Sequence, residues 1–401
     1  MSTRPVDRSA VAGMTMVTAG SMTANVAGYL LQVLASRWLG PAGYSEFATL
    51  LGAQLVLAVP ALALQTVVAR ELVHGASADY LRRLERRCAA IVAVVAAVLV
   101  PVIASVFDVD VIATVAALLA VPVLVLLAGE QGLLQGSGRF KELALVLGFA
   151  GVAKVTPGVV VLALGGGAAP ALVVCAIGIG VAAAFAQLIA GRVPRDGEKP
   201  AVSVTSVLTA SQVQLALIAM SSADLLIARI VLTEHDSGLY ALGAVATKAA
   251  FWLPQAVGVV LYPRMAHPDH SARAVRSALA VLVGLGAVMV IGVALAAPLA
   301  PLIVGDDYRP IQGRLWAFAL DGACLALLQG ALLAAIAGKR TRLALIAWVG
   351  LGVEVLLMLT LAASVTELIS IAVATAAVTA VVACIPTIGP VHITPRKFRR
   401  Q

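Results

Sequence analysis

The run VIATVAALLAVPVLVLLAG at residues 111–129 carries no charged side chain. At about 1.5 Å per residue it is long enough to cross a hydrocarbon layer of about 30 Å as a helix. A surface helix of a soluble domain would show a polar stripe on one face, and this run offers only Thr114. Runs of the same kind recur along the chain. With a window of about 19–20 residues they fall near 18–37, 46–68, 88–107, 110–134, 142–164 and 169–190. A second set of six falls near 206–231, 240–262, 276–302, 312–337, 342–363 and 366–386. Gly and Pro lie inside the runs and strict alternation is absent, so these are not barrel strands. The expected fold class is an all-α polytopic membrane protein of about twelve transmembrane helices.

Composition agrees. Of 401 residues, 61% are hydrophobic and 12% charged, with a mean hydropathy of +1.02. Soluble domains carry about twice that charge, so soluble, disordered and collagen-like chains are excluded. Aromatics make up only 4%, while Gly reaches 35 residues. Small residues of this kind let helices approach closely in lipid, where no hydrophobic drive brings them together. Cys88, Cys175, Cys324 and Cys384 are far apart and form no CxxC pair, so neither a disulfide framework nor a metal site is signalled. Twelve spans leave no room for an extramembrane domain.

The connections set the orientation. Of 28 Lys and Arg, 22 fall on one side: the two ends of the chain, the 69–87 loop, and the loops near 139–141, 192–199, 264–276 and 339–342. The other side holds Arg37, Arg229, Arg309 and Arg314, and Lys154 and Lys248 lie inside spans. The positive-inside rule then places both termini in the cytoplasm of a cell whose inner membrane the chain spans. The basic excess is a topology signal and an attraction to anionic membrane lipids, not a nucleic-acid face. The polar N-terminus lacks a signal-peptide pattern and is expected to be retained.

The two sets of six spans repeat. Leu34-Ala35-Ser36-Arg37 matches Leu226-Ile227-Ala228-Arg229, and a Gly-Tyr turn follows each, at Gly43-Tyr44 and Gly238-Leu239-Tyr240. Further on, Gln54 meets Lys248, Pro60 meets Pro254, and Arg70 meets Arg264. Gly138-Arg139 with Leu143-Ala144-Leu145 meets Gly338-Lys339 with Leu343-Ala344-Leu345, placing Lys154 opposite Glu354. The expected organisation is a six-helix half over 1–195 and a second over 196–401, related by an axis along the membrane normal around a central cavity. Such halves rock to give alternating access.

These residues carry a resemblance. The turn from Arg37 to Tyr44, the proline in the second span, Asp224-Leu225-Leu226, Trp252-Leu253-Pro254 and Tyr262-Pro263-Arg264 resemble the Wzx-type polysaccharide flippases. That family lies within the multidrug/oligosaccharidyl-lipid/polysaccharide (MOP, MATE-like) exporter superfamily. The resemblance covers essentially the whole chain, though its motifs are degenerate. It implies a two-lobed fold and translocation of a polyprenyl-diphosphate-linked oligosaccharide for cell-surface polysaccharide synthesis. Lipid II flippases of the superfamily carry two further helices, which this chain lacks.

Ionisable groups at bilayer depth are costly and by default face a cavity or a partner. Six qualify: Glu130, Lys154, Asp224, Lys248, Asp321 and Glu354. Lys154 and Lys248 are candidate contacts to a lipid diphosphate, since an ammonium is a point charge with three donors. Their other use is structural, as pairs of Lys154 with Glu354 and Lys248 with Asp224. Asp224, Asp321 and Glu354 are candidates for ion or proton coupling, or for hydrogen-bonded helix locks. Glu130, near a helix end, is expected to snorkel. Asn25, Tyr29, Gln32 and Ser36 form one polar face of the first helix, expected to line the cavity with the substrate. Arg37 and Arg229, at matching outer ends, are expected to snorkel or to gate by pairing with carboxylates.

No nucleotide-binding loop is present: Gly165-Gly166-Gly167 lacks the following GK[ST] and reads as a turn. His267 and His270 flank Asp269 in a loop and read as loop polarity, and Asp306-Asp307 reads as solvated. The expected function is non-enzymatic: a flippase without cofactor, drawing on an ion or proton gradient, with other glycan-assembly proteins as partners. Four deep acids against two bases favour instead a cation-coupled multidrug exporter of the MATE type. A non-transporting scaffold for glycan-synthesis enzymes is the third reading.

Overall fold

A computed structural model describes residues 8–191, 203–265, 271–337 and 344–388. Helix dominates, and no strand occurs among the described residues. In chain order the helices are α1 (Arg8–Leu57), α2 (Val59–Val73), α3 (Ala78–Val106), α4 (Val111–Gly136), α5 (Phe140–Ala163) and α6 (Ala168–Ala190). They continue with α7 (Val204–Val231), α8 (Glu234–Met265), α9 (Ser271–Ala296), the short α10 (Ala300–Val304), α11 (Leu315–Ala337), α12 (Ala344–Leu361) and α13 (Val365–Ile388).

Among the described residues, nine helical stretches are long and apolar enough to cross a membrane. The first of them, Thr15–Val73, holds two of the expected spans. Gly40, at φ 66° and ψ 175°, interrupts its helical geometry, and Pro41 follows at once. A left-handed glycine ends one helix and a proline, with its φ already set, starts the next. The turn expected over Arg37–Tyr44 is therefore one residue long. Together with α8 and the shorter Leu345–Leu361 segment, these stretches account for the expected crossings of a multi-pass membrane protein.

One expected loop is mostly helix. α3 begins at Ala78, not near 88, so Arg82, Arg83, Arg86 and Arg87 ride on its first turns. The expected boundary between halves at 195/196, and His267, Asp269 and His270, lie outside the described residues.

Packing follows the repeat. α1 lies on α5, α5 on α6, and α4 on α2, α3 and α6; in the second half α11 lies on α8, α9 and α13, and α12 on α7 and α13. Small residues set the spacing. A Cβ on Gly178 would overlap the Ala153 carbonyl, and one on Gly322 would overlap the carbonyl of Thr247. Close backbone approach of this kind is how helices gain contact in lipid. The halves meet where α1 packs on α7 and α8, and α2 on α7.

Candidate functional site

The deep ionisable groups do not gather in one open chamber; they separate into three environments.

The largest group is enclosed within the second half. Asp224 of α7, Lys248 of α8, Asp321 of α11 and Glu354 of α12 are all buried. Tyr240 Oη donates to Asp224 Oδ2 at 2.8 Å. Asp321, Glu354 and Lys248 lie within Coulombic reach of Asp224. Asp224 Oδ1, Glu354 Oε2 and Ser222 Oγ are buried with no hydrogen-bond partner among the described residues. Three facing carboxylates against one ammonium leave a site that takes up positive charge. Among the described residues, no group of three His, Cys, Asp or Glu side chains has the geometry to hold a metal ion. Of the uses expected for them, a cavity lining or a partner, burial of all four side chains among α7, α8, α11 and α12 agrees with the second. Lys248 is within Coulombic reach of Asp224, and Glu354 is within reach of Asp321 and Asp224, with Lys154 not among the groups acting on it.

Glu130 is also corrected. It does not snorkel but is buried, accepting from Arg82 Nε at 3.0 Å and Nη2 at 3.3 Å. Arg82 Nη2 donates also to the Ala190 carbonyl at 3.0 Å, so one guanidinium ties α3, α4 and α6. Buried Glu85, read from the sequence as part of a loop, lies on the same helix as Arg82 and within its Coulombic reach. Removing one partner of a buried ion pair strands the other charge, at about 3–5 kcal/mol. Arg82→Ala should therefore lower the melting temperature of the purified protein well beyond the effect of the paired change Arg82→Met with Glu130→Leu. Equal losses would show that the pair is not what holds these helices.

Lys154 is the third environment. It is half-buried, with Cys175 of α6 within Coulombic reach and no ion-pair partner among the described residues. Val152, Thr156 and Val160 form the exposed stripe of α5. At about 100° per residue, Lys154 lies about 200° from Val152 and from Thr156, on the face away from that stripe. Of the polar face on α1, Asn25 is exposed, Tyr29 and Gln32 are half-buried, and Ser36 is buried. Ser36 Oγ bonds to the Val33 carbonyl at 2.8 Å, whereas Asn25, Tyr29 and Gln32 make no side-chain hydrogen bond to the described residues.

Arg37 and Arg229 meet neither expectation in full. Arg37 Nη1 donates to the Ile303 carbonyl at 2.7 Å and the Leu302 carbonyl at 3.3 Å, across to the second half. Arg229 reaches the other way, Nε to the Phe107 carbonyl at 2.9 Å and Nη2 to the Asp108 carbonyl at 2.8 Å. It also meets Glu234, on its own half, at 3.1 Å. The targets are thus mainly main-chain carbonyls of the opposite half. Ser45 Oγ donates to Ser237 Oγ at 2.9 Å and accepts from Arg229 Nη1 at 3.2 Å. Positions 37 and 229, and 45 and 237, share one spacing, so the serine pair sits where a two-fold axis between halves would pass. Nearby, Tyr308 Oη donates to the Ser36 carbonyl at 3.1 Å, and a Cβ on Gly238 would overlap the Pro41 carbonyl. This end of the molecule is clamped shut.

Tyr240, Ser45, Ser237 and Tyr308 were not singled out from the sequence as site residues. Tyr240 could have been, because it is the tyrosine of the repeated Gly-Tyr turn, sixteen residues after Asp224. Asp306 and Asp307 are exposed, as expected for solvated groups, with Asp306 paired to Arg309 at 2.8 Å.

Comparison with solved structures places the architecture. The lipid II flippase MurJ in an inward closed conformation superposes with a TM-score of 0.72 at 10% identity, covering 93% of this chain and 87% of that one. The fold is like that of solved MurJ and MATE transporters. A multidrug resistance MATE family transporter of the MOP superfamily gives 0.66 at 13% identity in its inward-facing conformation, covering 94% and 97%. An outward-facing MATE structure gives 0.58 at 14% identity, covering 94% of both chains. No family model matches the sequence, and no curated protein matches it.

Proposed function

We propose that this multi-pass membrane protein is a flippase that carries a polyprenyl-diphosphate-linked oligosaccharide across the cell membrane by alternating access. Uptake of protons or sodium ions at Asp224, Asp321 and Glu354 drives the cycle. The observation that carries this reading is the separation of the deep charges. Glu130 is held by Arg82, and the other three acids and Lys248 are enclosed in the second half. Lys154 is then the half-buried deep charge left for a substrate, and it is a cation. A side chain of this kind at bilayer depth faces a cavity or a partner, and no ion-pair partner of Lys154 occurs among the described residues. The acid excess that favours a multidrug exporter for organic cations is not on offer to such a substrate, because those carboxylates are enclosed.

Lys154 binds the diphosphate, and the polar face of Asn25, Tyr29 and Gln32 supplies hydrogen bonds to the head group. Lys248 is assigned to the coupling cluster and no longer to the substrate. The clamped end is the outer one by the positive-inside count, so substrate enters from the cytoplasmic side. Exposed Arg83, Arg86 and Arg87 on α3 meet anionic lipids there. The closeness in fold to a lipid-linked flippase and to exporters supports transport over a scaffold role.

The test is transport of a fluorescent polyprenyl-diphosphate oligosaccharide in proteoliposomes. Lys154→Ala should cut the rate at least ~10-fold, the scale of one charge-assisted contact, and Lys154→Arg should keep part of it. Undiminished transport by the alanine variant, with loss of organic-cation export in Asp321→Asn, would favour the multidrug reading. A scaffold would tolerate neutralisation of all four enclosed groups and Lys154 together.

A further inference from the structure

The two hydrogen-bonded systems of the second half share one hairpin. Asp224 and Arg229 lie on α7, five residues apart, and Ser237 and Tyr240 lie on the first turns of α8. Leu232 and Thr233 alone connect the two helices. The tip carries the contacts to the first half: Ser237 to Ser45, Arg229 to Ser45, Phe107 and Asp108, and Gly238 against Pro41. Three residues past Ser237, the hydroxyl of Tyr240 crosses back to Asp224 at 2.8 Å. The Tyr240 ring is fully buried and set edge-on against Phe318 of α11, with centroids 4.9 Å apart, so the hydroxyl cannot swing to another acceptor without moving the helix start.

We propose that Tyr240 is the positioning residue that ties the charge on Asp224 to closure of the clamped end. The phenol fixes the register of α8 against α7, and that register sets where Ser237 and Gly238 meet the first half. The groups acting on Asp224 come from every neighbouring element of the cluster: Tyr240 and Lys248 of α8, Asp321 of α11 and Glu354 of α12. When positive charge leaves the enclosed acids their mutual repulsion is relieved by moving α7, and Tyr240 transmits that movement to the tip. The proposal rests on the reading of the acids as the coupling site and adds the part that conveys their state to the gate.

The experiment places spin labels on Ala42 and His235, both exposed on the facing tips, in protein whose four native cysteines are replaced. Pulsed EPR then records the distance between them in nanodiscs from pH 5 to pH 9, with and without sodium chloride. The parent should pass from a short to a long distance as pH rises. In Tyr240→Phe, which removes one hydroxyl, the distribution should be the same at both ends of that range. Asp224→Asn should lose the response equally, and the double variant should add nothing to either single change. A Tyr240→Phe protein that titrates with the parent's midpoint and amplitude overturns the link while leaving coupling intact. So does an Asp224→Asn protein that keeps the response, should the phenylalanine variant fail to fold. A parent insensitive to both pH and sodium overturns the coupling reading itself, and the link with it.

Discussion

With Arg37 and Arg229 both replaced by alanine, the clamped end should come apart in most molecules. Five side-chain hydrogen bonds that cross between the halves are lost: two from Arg37 and three from Arg229. Each charge-assisted bond is worth about 1.5–3 kcal/mol when enclosed. Water replaces part of this at exposed Arg37, whereas the Arg229 side chain is only 5% exposed. A net shift of about 3 kcal/mol is expected, roughly 100-fold in the closed-to-open ratio. A cysteine at Leu239, 4% exposed at the tip, should report it through a matching rise in its labelling rate by a water-soluble maleimide. Arg229→Lys should recover little. One ammonium cannot keep the fork that spans the Phe107 and Asp108 carbonyls and the Ser45 hydroxyl. Unchanged labelling in the double variant would mean that packing of α1 on α7 and α8 closes this end unaided.

A single methyl group at position 238 should have the opposite origin and an equally large effect. A Cβ there would occupy the space of the Pro41 carbonyl oxygen, a main-chain atom that cannot rotate aside. Gly238→Ala is therefore expected to bar the clamped state. Transport should fall at least ~100-fold, because alternating access needs both closures in turn. The fold of each half should survive, since the clash lies between the halves, and the melting temperature should stay near that of the parent. Gly322→Ala provides the contrast. Its methyl would meet the Thr247 carbonyl within the second half, so it should lower stability by about 1–3 kcal/mol as an overpacked core position. If the two variants lose stability alike and Gly238→Ala still transports, the contact with Pro41 is not a gate.

Much of the architecture is legible in the sequence. Apolar runs such as 111–129 identified helices in lipid, and the doubled Leu-Ala-Ser-Arg and Gly-Tyr pattern announced two similar halves. The turn at Gly40-Pro41 was placed within a few residues. Arg82, Arg83, Arg86 and Arg87 suggest a loop when counted for charge, yet they lie on α3. On a helix three of them remain in water while Arg82 turns inward to Glu130. Hydropathy averages over a window and does not register which face a single side chain takes.

The deep charges show the same limit more sharply. Their number and depth can be counted along the chain, but not which of them are neighbours. Lys154 and Glu354 correspond in the repeat but have different surroundings: Lys154 lies near Cys175, while Glu354 lies within Coulombic reach of acids from two other helices. Tyr240 owes its place to its hydroxyl reaching Asp224, sixteen residues back and on another helix.

The chain alone determined that it spans a membrane with helices and that its halves are related. Lipid penalises unsatisfied backbone so heavily that helical runs of this length and composition have no other use. Only the tertiary structure decided that Arg37 and Arg229 grip backbone of the opposite half, that three acids are enclosed together, and that Lys154 stands apart from them. Those facts depend on which helix faces meet, and side-chain contacts between segments nearly 200 residues apart are written in no local pattern.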